Sequence, residues 1–445
     1  MTDYTALVRD VAAQIESGRL KPGARLPPQR TFAYERGIAA STAGRVYSEL
    51  LRRGLVVGKV GRGTFVAGQV RDLGPARGDP HEASIDLKFN FPTVPQQAGL
   101  IARSLAGLQR ADVVGRAVGP VTSGRLASAR ATMASYLKSA AWQPNAEGFV
   151  FTGAGRQSIA AAISALVPVG GRLAVEALSY PTVKALAARL GAALVPIAMD
   201  AEGLRPDALA KAHRTAPLSA IYVQPVMHNP LGLTMSEARR KDLLRLAAKL
   251  DLVIIEDLVY GFLSDTPPLA ALDPDRCIVA DSLSKVVAPG AAVGTLHVPP
   301  ALIDRIGATV RGGAWTATTL PLEVAMRLVA DGTAAELRQL KRLDARKRQA
   351  IMRKALAGFR VDADPASYHL WLHLPGSWRS EAFATAAAYQ GVAVTSSHAF
   401  AMTPGYAPNA VRLALGLPSH DELQLAATLV AALLNMRPDD ADRTE

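Results

Sequence analysis

The sequence predicts a two-domain protein, with a winged helix-turn-helix at the N-terminus followed by a larger α/β domain. Residues 1–70 contain three short helical patterns and then two β-prone pieces that flank Val60-Gly61-Arg62-Gly63, which is typical of a hairpin. From about residue 148, apolar runs alternate with helical stretches. That alternation predicts a mostly parallel, seven-stranded sheet with helices on both faces.

The helices of the N-terminal segment follow from apolar spacing and from chain-breaking residues. The first helix ends at Gly18 and has apolar side chains at helical spacing: Tyr4, Leu7, Val8, Val11 and Ile15. A second helix is expected at about 29–36, after three prolines, and a third from Ser41 or Thr42 to Gly54. The apolar side of the third helix is assigned to Val46, Leu50 and Leu51. The β-prone pieces of the hairpin are Leu55–Lys59 and Thr64–Val66.

The α/β domain is predicted from seven apolar runs, each a candidate strand. These runs are Phe149–Thr152, Arg172–Val175, Ala193–Ile197, Ala220–Val223, Leu252–Ile255, Cys277–Ala280 and Gly294–Val298. A smaller α+β part follows at about 325–445, with strand signals at Tyr368–Leu374 and Val392–Thr395. The predicted borders are 1–68 for the first domain, 69–88 for a Gly- and Pro-rich linker, and 89–445 for the second domain, whose large part spans about 115–320.

Composition and cysteine usage exclude several classes of protein. Of the 445 residues, 49% are hydrophobic and 20% are charged, which excludes a disordered or collagen-like chain. No apolar run is long enough to span a bilayer, and the N-terminus does not read as a signal peptide. The single cysteine, Cys277, excludes a disulfide framework and a cysteine-rich zinc site. We therefore expect a cytoplasmic protein with no metal site and no membrane partner.

Positive charge is concentrated in the N-terminal segment. The chain has 50 Lys and Arg against 38 Asp and Glu, a net charge of +12, and residues 1–70 hold 11 basic and 5 acidic side chains. Such a footprint favours a polyanion such as double-stranded DNA. The stretches GRLKPGARLPPQR at 18–30 and GRGTFV at 61–66 resemble the opening and the wing of the GntR family of bacterial transcription regulators.

Five polar residues of this segment are candidates for DNA contact. Arg30, at the start of the second helix, and Arg45, in the third, can each form a fork to guanine or clamp a phosphate. Ser41 and Thr42 suit phosphates and base edges, or cap the helix, and Arg62 at the wing tip is expected to meet the backbone or the minor groove. Members of the resembled family usually carry a basic residue where this chain has Ala40, so its operator sequence cannot be inferred from relatives.

The larger domain has a set of polar residues at the ends of predicted strands. Ser282-Leu283-Ser284-Lys285 directly follows a buried run, where a lysine is costly unless it is neutral or used covalently, as in a Schiff base with an aldehyde cofactor. Asp257 can pair with a protonated pyridine nitrogen, and Tyr260 and Asn229 can donate to a phenolic oxygen of the same ring. Taken singly, each of these residues has an ordinary structural explanation, but together they mark the ligand crevice of an open α/β sheet.

Two further elements extend that set. Gly153-Ala154-Gly155-Arg156-Gln157 joins a strand to a helix, where backbone N–H groups can hold a phosphate. Tyr180 is placed to stack on a flat ring. Over roughly 85–430 the chain resembles the fold type I aminotransferases, which bind pyridoxal 5′-phosphate (PLP). The resemblance implies that Lys285 carries the cofactor, that Asp257, Tyr260, Asn229 and Tyr180 surround its ring, and that Arg412, in Ala410-Val411-Arg412-Leu413, binds a ligand carboxylate.

Two features of the resembled family are absent from this chain. Ala292 stands where the family has an arginine for the PLP phosphate, and the stretch Val118-Gly119-Pro120-Val121 lacks a tyrosine usually found before the glycine that corresponds to Gly124. We therefore expect weaker phosphate binding, unless Arg156 compensates, and we expect inefficient transamination.

The order of the two domains is that of the MocR subgroup of GntR regulators. The resemblance implies a transcription regulator that senses PLP, or an amino compound reacting with PLP, and that forms head-to-tail homodimers. Two alternatives remain open: an active PLP-dependent aminotransferase with an accessory DNA-binding segment, and a DNA-binding dimer whose PLP pocket is empty. The loss of the arginine at 292 speaks against the first alternative, and the joint presence of Lys285, Asp257, Asn229 and Tyr260 speaks against the second.

Overall fold

The computed structural model divides the chain into two compact units, residues 1–77 and 78–445. It describes residues 4–16, 19–20, 24–52, 55–59, 63–66, 85–291, 293–403 and 407–436. The predicted wing-tip residue Arg62 and the substituted position Ala292 lie outside the described residues.

The N-terminal unit has the predicted order of three helices and a hairpin. Its helices are α1 (Tyr4–Glu16), α2 (Gln29–Glu35) and α3 (Ala40–Arg52), and β1 (Val56–Lys59) pairs antiparallel with β2 (Gly63–Val66). The helix α3 begins at Ala40, so Ser41 and Thr42 lie in its first turn and do not cap it. Leu51, which we expected on the apolar side, is 43% exposed, because only one stripe of α3 faces α1 and α2.

A small apolar core holds this unit together. It is formed by side chains of the three helices and of both strands, together with Leu26 from the segment before α2: Val8, Val11, Ile15, Leu26, Phe32, Ala33, Ala43, Val46, Tyr47, Leu50, Val56 and Val66. The Tyr47 ring packs edge-on against Phe32, and its hydroxyl donates to the Pro27 carbonyl oxygen at 2.5 Å. This bond satisfies the polar end of a buried aromatic side chain and ties α3 to the turn before α2.

A seven-stranded sheet forms the large part of the second unit. Its strands are β4 (Phe149–Thr152), β5 (Arg172–Glu176), β6 (Ala193–Ile197), β9 (Ala220–Val223), β10 (Val253–Asp257), β11 (Cys277–Ser282) and β12 (Gly294–His297). The order across the sheet is β4-β12-β11-β10-β9-β5-β6. Only β12 runs antiparallel to its neighbours. All seven strands were predicted from the sequence, and the mostly parallel sheet is confirmed.

Helices cover the sheet on both faces and extend beyond it. The helices of this unit are α4 (Gln97–Ala106), α5 (Ala111–Ala117), α6 (Ser123–Leu137), α7 (Gly155–Leu166), α8 (Thr182–Arg189), α9 (Pro206–Thr215), α10 (Glu237–Lys249), α11 (Leu283–Val286), α12 (Ile303–Gly312), α13 (Thr319–Ala330), α14 (Thr333–Ala355), α15 (Ser380–Tyr389) and α16 (His420–Leu434). One face of the sheet packs against α7, α8 and α12, and the other against α9 and α10. A short hairpin, β7 (Met199–Asp200) and β8 (Gly203–Leu204), precedes α9.

The small C-terminal part is the predicted α+β part. Its antiparallel sheet has the order β13-β14-β17-β16, with β13 (Val361–Asp362), β14 (His369–His373), β16 (Thr395–Ser396) and β17 (Ala410–Ala414). The strand β3 (Ile85–Asp86) pairs in parallel with β15 (Val392–Ala393). Ile85 and Leu87, which fall within the segment predicted as a linker up to residue 88, are apolar and buried in this core.

Neither a membrane-spanning helix nor a metal-binding cluster occurs in the residues that the structure describes. No helix among them is both long and apolar enough to cross a bilayer. No group of three or more His, Cys, Asp or Glu side chains among them is arranged to hold a metal ion.

Candidate functional site

The polar residues predicted at strand ends lie together at the carboxyl edge of the large sheet. Asp257 is the last residue of β10, and Lys285 lies in the short helix α11 directly after β11. Both elements bring their side chains to the same edge because β10 and β11 are parallel neighbours. The carboxyl edge of an open α/β sheet is the usual place for a ligand.

Asp257 is fully enclosed and firmly oriented. Its Oδ2 accepts a hydrogen bond from the Tyr222 hydroxyl at 2.6 Å, and its Oδ1 accepts one from the Val259 amide at 3.2 Å. Burial raises the pKa of this carboxyl, while the Tyr222 hydroxyl, the Val259 amide and the positive charge of Lys285 oppose the rise. A carboxylate in such a setting is poised to pair with a cationic group in the pocket.

Lys285 is half-buried, with its amine above an aromatic ring. The amine lies 3.9 Å from the centre of the Phe91 ring and donates to the Asn90 carbonyl oxygen at 2.6 Å. Burial, followed by the positive charge of Arg412, lowers the pKa of Lys285 to about 7, against the attraction of Asp257. A large fraction of this amine is therefore unprotonated and nucleophilic near neutral pH.

Tyr260, Asn229 and Arg412 complete one wall of the pocket. The Tyr260 hydroxyl accepts from Asn90 Nδ2 at 2.9 Å, and Asn229 Oδ1 accepts from Arg412 Nη1 at 3.4 Å. The Asn229 amide oxygen is thus used, so its Nδ2 group remains as the donor toward the pocket. Arg412 lies on β17, also bonds the Lys88 carbonyl oxygen and Thr395 Oγ1, and has a Nε without a hydrogen-bond partner among the described residues.

The opposite side of the pocket is the turn from β4 into α7. A Cβ atom added at Gly155 would lie 2.9 Å from Ser282 Cβ, so only glycine allows this turn to approach the end of β11 so closely. Ser282 Oγ accepts from the Ser284 amide at 3.2 Å and caps α11. Arg156 is exposed, and Gln157 Oε1 is buried without a hydrogen-bond partner in the described part of the chain.

Tyr180 belongs to the same pocket. Burial raises the pKa of its hydroxyl, while the positive charges of Arg156 and Arg412 oppose the rise and that of Asp257 reinforces it. These electrostatic neighbours come from α7, β17 and β10, so the structure brings together residues that are as much as 256 positions apart in the sequence.

Sequence reasoning missed three contributors to the pocket: Tyr222, Asn90 and Phe91. Tyr222 was counted only as part of an apolar run, although a hydroxyl within a buried strand requires a partner. It pairs in register with Ile255, two residues before Asp257, which places both polar groups on one side of the sheet. Asn90 and Phe91 lie just past the predicted linker, and they belong to no sequence motif that would indicate a binding site.

The candidate DNA-contacting side chains are on the surface of the N-terminal unit. Arg30 on α2 is exposed, as are Ser41 and Arg45 on α3, and Thr42 is half-buried. An exposed face of the third helix that carries an arginine and hydroxyls suits the major groove.

Comparison with known proteins identifies both units. Residues 3–66 match the gntR family of bacterial regulatory proteins, and residues 85–429 match the family of class I and II aminotransferases. The chain belongs to the class I and II aminotransferase family and carries a gntR-family domain before it. This combination confirms the predicted MocR-type architecture.

Similar proteins include regulators and enzymes. YdeF of Bacillus subtilis, an uncharacterized HTH-type transcriptional regulator, is 25% identical over 441 residues, which cover 97% of this chain and 94% of YdeF. PtsJ of Salmonella typhimurium, a vitamin B6 salvage pathway transcriptional repressor, is 25% identical over 431 residues, which cover 96% of this chain and 97% of PtsJ. The crystal structure of an archaeal alanine:glyoxylate aminotransferase is similar with a TM-score of 0.70 and 25% identity, over 79% of this chain and 90% of that one.

Proposed function

We propose that this protein is a DNA-binding transcription regulator whose aminotransferase-like domain binds PLP and senses PLP or an amino compound through it. The observation that carries the proposal is the arrangement of the half-buried Lys285 with the buried Asp257 and Tyr222, in a chain that also has a gntR-family domain. The similarity to PtsJ, a regulator named for vitamin B6 salvage, supports a B6 compound as the signal.

The pocket fits PLP on its ring side. Asp257 would pair with the pyridine nitrogen, Tyr260 and Asn229 would donate to the ring oxygen, and Tyr180 would stack on the ring. When bound, PLP supplies an aldehyde that an amine can attack and a ring that withdraws electrons. Lys285 is the amine placed for covalent attachment, and its lowered pKa keeps it reactive near pH 7.

The pocket also fits a phosphate at the start of α7. The close approach at Gly155 places the N-terminus of this 12-residue helix next to Ser282, and the first-turn amides of a helix can bind a phosphate. Gln157, whose Oε1 has no hydrogen-bond partner among the described residues, would turn its Nε2 group toward the phosphate, because only that end of the amide donates. Arg156 would supply positive charge. Arg412, whose Nε has no hydrogen-bond partner in the part of the chain that the structure describes, would form the fork for the carboxylate of an amino compound.

The DNA-binding role is assigned to the face of α2 and α3. Arg30, Ser41, Thr42 and Arg45 would contact bases and phosphates, and Arg62, outside the described residues, would contact DNA from the wing. We further propose a homodimer, head-to-tail, because two-fold operators favour paired readers.

A DNA-binding experiment with separate readouts for the two domains tests the proposed function. The double variant Arg30→Ala/Arg45→Ala should lose binding to its own promoter fragment in a mobility-shift assay, while its visible PLP absorbance stays at the wild-type level. The matched control, Arg189→Ala/Arg214→Ala, removes two exposed arginines from the second unit and should bind DNA normally. Normal DNA binding by the first double variant would contradict the assignment of this face.

A further inference from the structure

Lys341 is a fully buried lysine next to the proposed cofactor lysine. It lies on α14 with 0% of its side chain exposed. Its amine donates to the carbonyl oxygen of Lys285 at 3.0 Å and to that of Val287 at 2.9 Å. Lysine is almost never fully buried unless its amine is satisfied, so these two bonds explain how its burial is tolerated.

The two acceptors need an outside donor because of the local sequence. In a continuing helix, the Lys285 carbonyl would accept from the amide of residue 289, but that residue is Pro289 and has no N–H group. The Val287 carbonyl would accept from Ala291, whose amide instead donates to the Ala288 carbonyl at 3.2 Å. At the end of the four-residue helix α11, these two carbonyls therefore have no main-chain donor among the described residues.

We propose that Lys341 is a positioning residue, which satisfies the end of α11 and thereby fixes the main chain from which Lys285 projects into the pocket. Loss of its two bonds would free α11 to shift or fray, and the Lys285 amine would move with it. Because covalent attachment depends on the approach of two atoms, a displacement of about 1 Å can slow it by about 100-fold while changing binding little.

Lys341 is itself held in place by a buried network on α14. The Tyr368 hydroxyl donates to Asp344 Oδ2 at 2.8 Å, and Arg348 Nε donates to the same oxygen at 2.5 Å. Arg348 also bonds the Leu415 carbonyl at 2.6 Å, which ties α14 to the small part. These bonds therefore hold α14 in place about one helical turn beyond Lys341.

One charged group, Asp344, acts on Lys341 besides its acceptors, and Lys341 in turn acts on Lys285. Burial lowers the pKa of Lys341 to about 7, against the attraction of Asp344, and the positive charge of Lys341 in turn adds to the lowering of the pKa of Lys285. Arg412, Arg156 and Asp257 also face Lys285. The Lys341 amine can therefore affect Lys285 through its hydrogen bonds and through its positive charge. A test must distinguish the loss of the hydrogen-bond donor from the loss of the charge.

Three full-length variants make that separation. Lys341→Met removes the donor and the charge, Lys341→Gln keeps an N–H donor without the charge, and Lys347→Met is a control on an exposed position of the same helix. The first readout is amide hydrogen exchange in the absence of PLP, followed for peptides from 283–291 and, for reference, from 253–263. The second readout is the rate of PLP trapping by borohydride, compared with the PLP dissociation constant.

Lys341→Met should speed exchange in 283–291 selectively and slow trapping at least about 10-fold, with the dissociation constant changed less than about 3-fold. Lys341→Gln should restore much of the protection from exchange in 283–291 and much of the trapping rate. Lys347→Met should match wild type in both measurements. The proposal is overturned if Lys341→Met behaves as wild type, if Lys341→Gln is as impaired as Lys341→Met, or if exchange rises equally in both segments. The trapping arm rests on the proposed function; if wild type traps no PLP, that function fails and the exchange arm still decides on Lys341.

Discussion

The two sides of the candidate pocket differ in how completely their polar groups are fixed. On the ring side, Asp257 receives two hydrogen bonds, Tyr260 receives one from Asn90, and Asn229 receives one from Arg412. On the side proposed for the phosphate, Arg156 is exposed, and Gln157 Oε1 has no partner among the described residues. Position 292, which lies outside the described residues, has an alanine where the resembled aminotransferases have an arginine for the phosphate.

Because of this difference, we expect the ring side to determine which cofactor is recognised and the phosphate side to determine how tightly it is held. Groups that are preorganised by burial and hydrogen bonds lose little entropy on binding, so under the proposed function the ring side would select PLP and present Lys285 to it. A phosphate side with little fixed positive charge contributes less affinity. A pocket of this kind would recognise PLP specifically and yet release it, which suits a sensor better than an enzyme.

The largest expected effect is that of Lys285→Ala. Wild type treated with PLP and borohydride should carry a stable adduct on Lys285, while Lys285→Ala should carry none and still bind PLP reversibly through the ring side. Mass spectrometry of proteolytic peptides measures the site and the yield. Lys184, whose pKa burial also lowers, is the internal control, and an adduct on that residue in wild type would contradict the assignment.

Asp257→Asn should weaken PLP binding by about 100-fold, because a buried charge-assisted hydrogen bond is replaced by a neutral one. The asparagine preserves the shape and can still accept from the Tyr222 hydroxyl, so the packing of the ring side should persist. Titration of PLP by absorbance gives the dissociation constants. Glu256→Gln is the control, since Glu256 is the buried neighbour on the same strand but bonds the Leu269 amide. Equal losses in both variants would indicate general destabilisation.

The sequence was informative where function depends on local chemistry. It predicted all seven strands of the sheet, and the turn, lysine and carboxylate at their ends, because apolar runs and strand-end polar residues are local patterns. It did not predict Asn90 beside Tyr260, since 170 positions separate them and no local pattern reports such a contact. It also missed β13 and β17 as strands, because the first is two residues long and the second was interpreted only as a carboxylate-binding motif.

The sequence also misplaced two details of packing. The predicted linker ends at residue 88, whereas Ile85 and Leu87 pack into the small part. Leu51 was assigned to the apolar side of α3, although a 13-residue helix has one buried stripe and Leu50 already occupies it. Both depend on which neighbours cover a surface, and that is decided by tertiary contacts.

Ala292→Arg would restore the arginine that the resembled aminotransferases have for the PLP phosphate. A guanidinium facing the phosphate should tighten PLP about 10- to 100-fold and blunt any response of DNA binding to added PLP. Titration of both proteins with PLP, with and without promoter DNA, measures the change. Ala292→Gln is the control for size without charge. Equal affinity of Ala292→Arg and wild type would mean that another group already neutralises the phosphate.

Arg156→Ala tests which group that would be, and we expect the smallest effect from it. Because Arg156 is exposed, its interaction with a phosphate is screened by solvent, and its loss should weaken PLP binding only about 2- to 5-fold. The loss should shrink further at high salt, whereas that of Asp257→Asn should not. A loss of more than about 10-fold, insensitive to salt, would show that Arg156 closes over the phosphate and replaces the missing arginine. Both sides of the pocket would then have polar groups fixed for binding PLP, and weak binding of PLP could no longer explain sensing.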